Sequence, residues 1–336
     1  MPYKQFFMVL VLVGLLWNCG EKQSTSETSL EATGNPAIDN ISAAIKINPD
    51  DPTLFAARAA LLYENESYDN AINDLNKALS IDSMNVDYLH LLADVYLDYF
   101  KSRLALETLE KAANFYPKNT PTLLKLAEFQ MILTKYEASL QTIDQILRQD
   151  RQTPPAYFLM GMNLKEMGDT IRAINSFQEA VDMDAQLIEG WLQLGQLYAT
   201  RKDPLALQYF NNAVKIAPNS VEANHAKAYY LTNTLNDLEG AIAIYRSINL
   251  IDPQYEEAYY NAGLLYLDLE KLSEAYQQFN LAIQFSPTHI RAYYYRGYTN
   301  ELLGNSDAAK LDYEQALRMS PDYEAAKERL TALQGG

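Results

Sequence analysis

From residue 36 onward, apolar residues recur at i, i+3, i+4 and i+7, the spacing of one face of a 3.6-residue helix. The spacing predicts helices in pairs. In one stretch Tyr259, Ala262, Gly263 and Tyr266 share a face, and the following helix carries Ala275, Phe279, Ala282 and Ile283 on one face. The pair recurs eight times, at 52–85, 86–119, 120–153, 154–187, 188–220, 221–255, 256–289 and 290–323. The fifth unit is one residue shorter than the usual 34 and the sixth one longer. Both changes are expected at the turn between the helices. Residues 36–51 predict the second helix of a truncated unit, ending at Asn48-Pro49. Residues 324–334 predict a capping helix, with Ala326, Leu330 and Leu333 on one stripe and Glu324, Lys327, Glu328 and Arg329 elsewhere.

Two helices approach closely only where side chains are small. The eighth position of each unit is Ala59, Ala93, Ala127, Gly161, Gly195, Ala228, Gly263 or Gly297. The second helix carries Ala or Ser throughout at another position: Ala71, Ala105, Ser139, Ala173, Ala206, Ala241, Ala275 and Ala309. Large residues such as Tyr96, Phe177, Tyr245 and Tyr313 fill the remaining space, and Pro at 117, 218, 253, 287 and 321 starts the turn into the next unit.

In the fifth unit Trp191, Leu194, Gly195 and Tyr198, then Ala206 and Phe210, then Pro218, spell W-x2-L-G-x2-Y, A-x3-F and P. This resembles the tetratricopeptide repeat. The resemblance implies an all-α fold: a right-handed α-solenoid of about eight helix-turn-helix units, with an N-terminal half-repeat helix and a C-terminal cap. One pair cannot bury its apolar stripe, whereas stacked neighbours can. The units account for 36–336 and leave no stretch for a separate catalytic domain.

The N-terminus reads as an address. Lys4 precedes an apolar run over 6–17, of signal-peptide length and short of the ~20 residues that span a bilayer. The run ends in Leu16-Trp17-Asn18-Cys19, which resembles the lipobox of bacterial lipoproteins, although small residues are usual where Trp17 and Asn18 stand. The resemblance implies a signal peptide over 1–18 and acylation of Cys19, with two or three chains giving stable anchoring. Residues 19–35 are then a polar, lipidated tether. Gly20 is not the Asp that retains such proteins at the inner membrane, so an outer-membrane anchor facing the periplasm is expected.

Asp plus Glu is 43 and Lys plus Arg 27, a formal charge of −16, which argues against a nucleic-acid partner. Cys19 is the single cysteine, so internal disulfides and cysteine-rich zinc sites are excluded. Nucleophile elbows, phosphate loops and HExxH are absent from the sequence, so neither an enzyme nor a cofactor or metal is expected. His90 lies between Asp87 and Asp94 on one helix face, a conceivable half-site, but a full metal site needs three or four converging ligands. His225 holds the same unit position four units on, and His289 reads as a turn residue.

In the tetratricopeptide family, unit positions 2, 5, 9, 12 and 13 line the concave face. Here those positions hold eleven acids and two bases, Lys165 and Arg291, a far stronger bias than in the whole chain. Position 2 favours acids through the helix dipole, yet without it seven acids still face one base. The expected partner-binding groove comprises Asp87, His90, Asp94, Glu128, Glu189, Glu222, His225, Tyr229, Glu257, Tyr260, Tyr294 and Tyr298. Because Tyr293, Tyr294 and Tyr295 cannot all face one core, at least one is expected to be exposed. The family's carboxylate clamp, Lys at position 5 and Asn at position 9, has no counterpart here. The expected function is a non-enzymatic envelope lipoprotein, membrane-bound through its lipid anchor, that scaffolds protein or peptide segments of basic or aromatic character. The alternative is a glycan-binding lipoprotein of an outer-membrane nutrient-uptake system.

Overall fold

The computed structural model describes residues 34–335, so the expected signal peptide, Cys19 and nearly all of the expected tether lie outside the described residues. Within them every regular element is a helix. They form two compact bodies, 34–83 and 84–335. The first holds α1 (Pro36–Ile47), α2 (Pro52–Glu64) and α3 (Tyr68–Ile81). The second begins with α4 (Val86–Asp98), α5 (Ser102–Phe115), α6 (Thr120–Ile132), α7 (Tyr136–Gln149), α8 (Pro154–Glu166) and α9 (Thr170–Met183). It continues through α10 (Ile188–Thr200), α11 (Leu205–Ile216), α12 (Val221–Tyr230) and α13 (Leu238–Ile251). It ends with α14 (Glu256–Asp268), α15 (Leu272–Phe285), α16 (Ile290–Leu302), α17 (Ser306–Met319) and α18 (Glu324–Gly335). Each unit contains one pair, and in the second body each helix packs on the next in chain order, an α-solenoid.

The chain marks its own helix ends. Asp51, Asn85, Asn119 and Ser220 accept backbone N–H groups at helix N-termini, and Pro52 and Pro154 open their helices where the missing N–H costs nothing. First helices close in a left-handed residue. At α2, Glu66 has φ of 57°, its N–H donates to the Tyr63 carbonyl, and the Ser67 N–H donates to the Leu62 carbonyl. This double bond satisfies the last carbonyls and turns the chain into its partner helix.

The core sits between the paired helices and follows a rule of size. A Cβ added to Gly161 would lie 2.7 Å from Phe177, one on Gly195 2.7 Å from Phe210, one on Gly263 2.7 Å from Phe279, and one on Gly297 2.9 Å from Tyr313. Where the facing residue is aliphatic (Leu75, Leu109, Ile143), the small residue is Ala59, Ala93 or Ala127 instead. Glycine thus meets a ring and alanine meets a branched chain. Unit six departs from the rule, since Ala228 and Tyr245 share one core cluster.

That unit also corrects an expectation. Its extra residue is absorbed not in the turn but at the end of the first helix, where Leu231–Leu235 form a π turn. The left-handed residue moves on to Asn236, with φ of 53°. The Asp237 N–H still reaches the Leu231 carbonyl at 2.9 Å, so the exit geometry survives. The missing residue of unit five does fall at the turn, where α11 starts late, behind Asp203-Pro204.

Two buried ion pairs occupy equivalent places. Arg58 Nε donates to Asp74 Oδ2 at 2.6 Å and its Nη1 to Ser42 Oγ at 3.0 Å. Arg296 Nη2 donates to Asp312 Oδ1 at 2.6 Å and its Nη1 to Asn280 Oδ1 at 2.7 Å. Such forks leave neither charge unpaired in the low-dielectric interior.

The size rule yields a sign reversal. Gly263→Ala is expected to destabilise by about 1–3 kcal/mol, because overpacking against Phe279 exceeds the ~1 kcal/mol gained in helix propensity. In a Phe279→Leu background the same change is expected to stabilise. Denaturant unfolding of the four variants measures both signs; the same sign in both backgrounds contradicts the rule.

Candidate functional site: the first-helix face

In the second body successive first helices touch directly: α4 with α6, α6 with α8, α10 with α12, and α14 with α16. No two successive second helices pack as extensively. The first-helix side is therefore the shorter, inner side of that stack.

Exposed carboxylates stud this side. Asp87, Glu128, Glu189, Glu222 and Glu257 are all solvent-exposed. Asp94 is half-buried and pairs with Lys125 at 2.7 Å. His90 is engaged rather than free. Thr122 Oγ1 donates to Asn119 Oδ1, so the His90 Nε2–H donates to the Thr122 hydroxyl at 3.0 Å. His225 Nε2 accepts from Asn261 Nδ2 at 3.3 Å, and its ring meets Tyr245 and Tyr255 edge-on. His289 caps α16, its Nδ1 accepting the Ala292 N–H at 3.1 Å, and its Nε2 lies 3.6 Å from Glu257.

The tyrosines divide. Tyr229 is 60% exposed. Tyr260, expected in the groove, is only 2% exposed. The His289 ring, from the end of the same unit, covers it at 4.7 Å and the Arg291 guanidinium, from the following unit, at 5.0 Å, and burial pushes its hydroxyl well above the usual tyrosine range. The expectation of an exposed residue among Tyr293, Tyr294 and Tyr295 also fails, since all three are half-buried. They face different neighbours. Tyr295 stacks on Phe279, Tyr294 packs on Tyr313 and Tyr323, and the Arg296 guanidinium lies over Tyr293. Tyr298 is half-buried because Arg329 of α18 lies 4.6 Å above its ring.

Two clefts interrupt the acidic face; one, of about 710 Å³, lies between α14 and α16, beside Leu267 and Tyr298, and the other is the more apolar. This apolar cleft has a volume of about 850 Å³ and lies between α10 and α12, beside the π turn. Its floor is apolar, with Phe210, Tyr230, Ala199 and Ala226, and Glu222, His225, Gln196 and Tyr229 stand around it. Glu222, His225 and Tyr229 were legible from unit position. The cleft was not, because it depends on Ala199 being small and on the π turn.

Residues 60–98 match a family model described as TPR repeat, and 154–187, 256–289 and 290–323 each match one described as tetratricopeptide repeat. The chain carries tetratricopeptide repeats. Among curated relatives, the BBSome complex member BBS4 of Bos taurus is 21% identical over 298 residues, covering 89% of this chain and 51% of the relative. The Hsp70-Hsp90 organizing protein of Triticum aestivum is 21% identical over 248 residues, covering 68% of this chain and 40% of the relative. The chain thus spans about half, or less, of the length of these relatives. Among solved structures, the C-terminal part of a TPR repeat-containing protein from Cytophaga hutchinsonii aligns with a TM-score of 0.60 at 16% identity. The alignment covers 73% of this chain and 99% of that one, and the likeness is one of fold.

Within these tetratricopeptide repeats burial disfavours the charged form of both His90 and His225. Burial lowers the His90 pKa, aided by the Lys125 charge and opposed by Asp87 and Asp94. Burial also lowers that of His225, against Glu257. A lowered pKa means that the unfolded chain binds protons first. The stabilisation is therefore complete above the ordinary histidine value of 6.5 and is lost as pH falls below it. Between about pH 7.5 and about pH 5.5 the native Tm is expected to fall more than that of a His90→Gln/His225→Gln variant. Parallel pH profiles contradict this.

Proposed function

We propose that this chain is a non-enzymatic scaffold of the cell envelope, held at the outer membrane by acylated Cys19, that docks a basic or aromatic segment of a partner protein on its first-helix face. The observation that carries the docking reading is the row of exposed carboxylates on the inner side of the stack, from Asp87 to Glu257. Their summed field attracts a cationic segment, raises its association rate and selects against acidic partners. Buried aromatic and apolar contacts supply most of the affinity in such interfaces. Tetratricopeptide repeats serve as protein-interaction scaffolds, and one relative is named for organising Hsp70 and Hsp90. The anchor reading rests on sequence: Lys4, the apolar run, and Leu16-Trp17-Asn18-Cys19.

Crosslinking in intact envelopes, followed by capture of the chain, tests the docking face. Capture is expected to weaken with rising salt. The triple variant Glu128→Lys/Glu189→Lys/Glu222→Lys is expected to reduce it at least tenfold. Glu110→Lys/Glu137→Lys/Glu179→Lys makes the same change in net charge on second helices and is expected to have little effect. Equal losses from both triples contradict the reading.

Radiolabelled palmitate tests the anchor. Label is expected in the native chain and not in Cys19→Ala, which leaves the membrane fraction; equal labelling contradicts it.

A further inference from the structure

The docking face already engages one arginine, from its own C-terminus. Arg329 lies with its guanidinium 4.6 Å from the Tyr298 ring centre, and its Nη1 donates to Glu301 Oε1 at 3.0 Å. Tyr298 holds the ninth position of its repeat. Only one other repeat has tyrosine there, and that residue is Tyr229. Tyr298 is covered by α18, whereas Tyr229 is 60% exposed and borders the cleft between α10 and α12.

The cleft has a local cause. At the twelfth repeat position the chain carries Ala199 in repeat five, flanked by Lys165 and Thr232 in repeats four and six, and Tyr, Leu, Met or Glu elsewhere. Ala199 is the smallest occupant of that position, which leaves room on the inner side between α10 and α12. On the opposite wall, α12 gives way to the π turn at Leu231–Leu235, and Thr234 of that turn lines the space. Single-turn π elements inside helices occur often at functional sites. A hollow with an apolar floor, an acid at its edge and an exposed ring at its mouth has two complementary requirements: a large apolar side chain and a planar cation.

The geometry points to a partner segment in which an arginine adjoins a large apolar residue. The arginine stacks on Tyr229 as Arg329 stacks on Tyr298, and the apolar side chain enters the cleft over Ala199. Arginine suits the ring better than lysine, because its guanidinium is planar and weakly hydrated. Glu222 beside the cleft, with Glu189 and Glu257 on the flanking helices, supplies a field of the matching sign. This deepens the scaffold reading and rests on it: it names the chemistry of the segment and the place where it docks.

The test uses the full chain and fluorescently labelled twelve-residue peptides in a glycine-serine frame, carrying Arg-Trp, Arg-Ala, Ala-Trp or Glu-Trp at the centre. Fluorescence anisotropy is expected to show binding of the Arg-Trp peptide, with at least tenfold weaker binding of the other three. Ala199→Leu fills the cleft and Tyr229→Ala removes the ring, and each is expected to weaken the Arg-Trp peptide at least tenfold. Ala199→Leu faces open space, and an unchanged thermal melt verifies its fold; Tyr229→Ala is on the surface and gives an independent reading. The proposal is overturned if the Arg-Trp peptide does not bind, if the Glu-Trp peptide binds equally, or if both variants bind as the native chain does. Repeating the envelope capture with the same two variants separates the two levels. Capture unaffected by both, yet lost on charge reversal of the first-helix face, overturns the cleft and leaves the scaffold standing. Capture unaffected by all of them overturns the scaffold reading itself.

Discussion

Everything in this molecule depends on how close two helices can come. With glycine at the eighth repeat position, the partner helix places a phenyl or phenol ring where a Cβ would otherwise be, at 2.7–2.9 Å. With alanine there in the first three repeats, the facing residue is branched and aliphatic instead. The two arrangements fill the same space by different means, as close packing requires. Because each pair is fixed at this separation, the next pair is fixed as well, and the second body stacks helix on helix without a sheet among its described residues.

A fixed stack leaves its inner side free to vary. The first helices hold their core residues inward and present acids outward at Asp87, Glu128, Glu189, Glu222 and Glu257. Near the C-terminal end the chain itself covers part of this side, through Arg329 on Tyr298 and Glu301. In the middle it is open, at the cleft over Ala199. The one repeat that sets alanine against a ring, Ala228 with Tyr245, is also the one whose first helix ends in a π turn. Packing inside the repeat and the shape of the surface outside it depart from the norm together.

The paired helices were legible because small residues recur in register, and no local rule competes with that signal. The place of the extra residue in repeat six was not, since turn and helix end differ there only in which carbonyl the next N–H selects. The Tyr260 misassignment has a similar origin. Its repeat position faces inward in isolation, but His289 at the end of its own repeat and Arg291 of the following one close over it. The three tyrosines at 293–295 escape exposure because repeat eight has rings and a guanidinium on three sides, so each finds a separate partner. The buried Arg58–Asp74 and Arg296–Asp312 pairs had a visible trace: an arginine at the seventh repeat position occurs only in the two repeats that carry aspartate at the twenty-third.

Hydrogen–deuterium exchange of the full chain, alone and bound to the protein recovered by crosslinking, tests the central claim most directly. The account predicts that new protection concentrates in first helices, most strongly at 188–200 and 221–235 on either side of the cleft, with the second helices unchanged. Protection confined to second helices, or spread evenly over both, would contradict it.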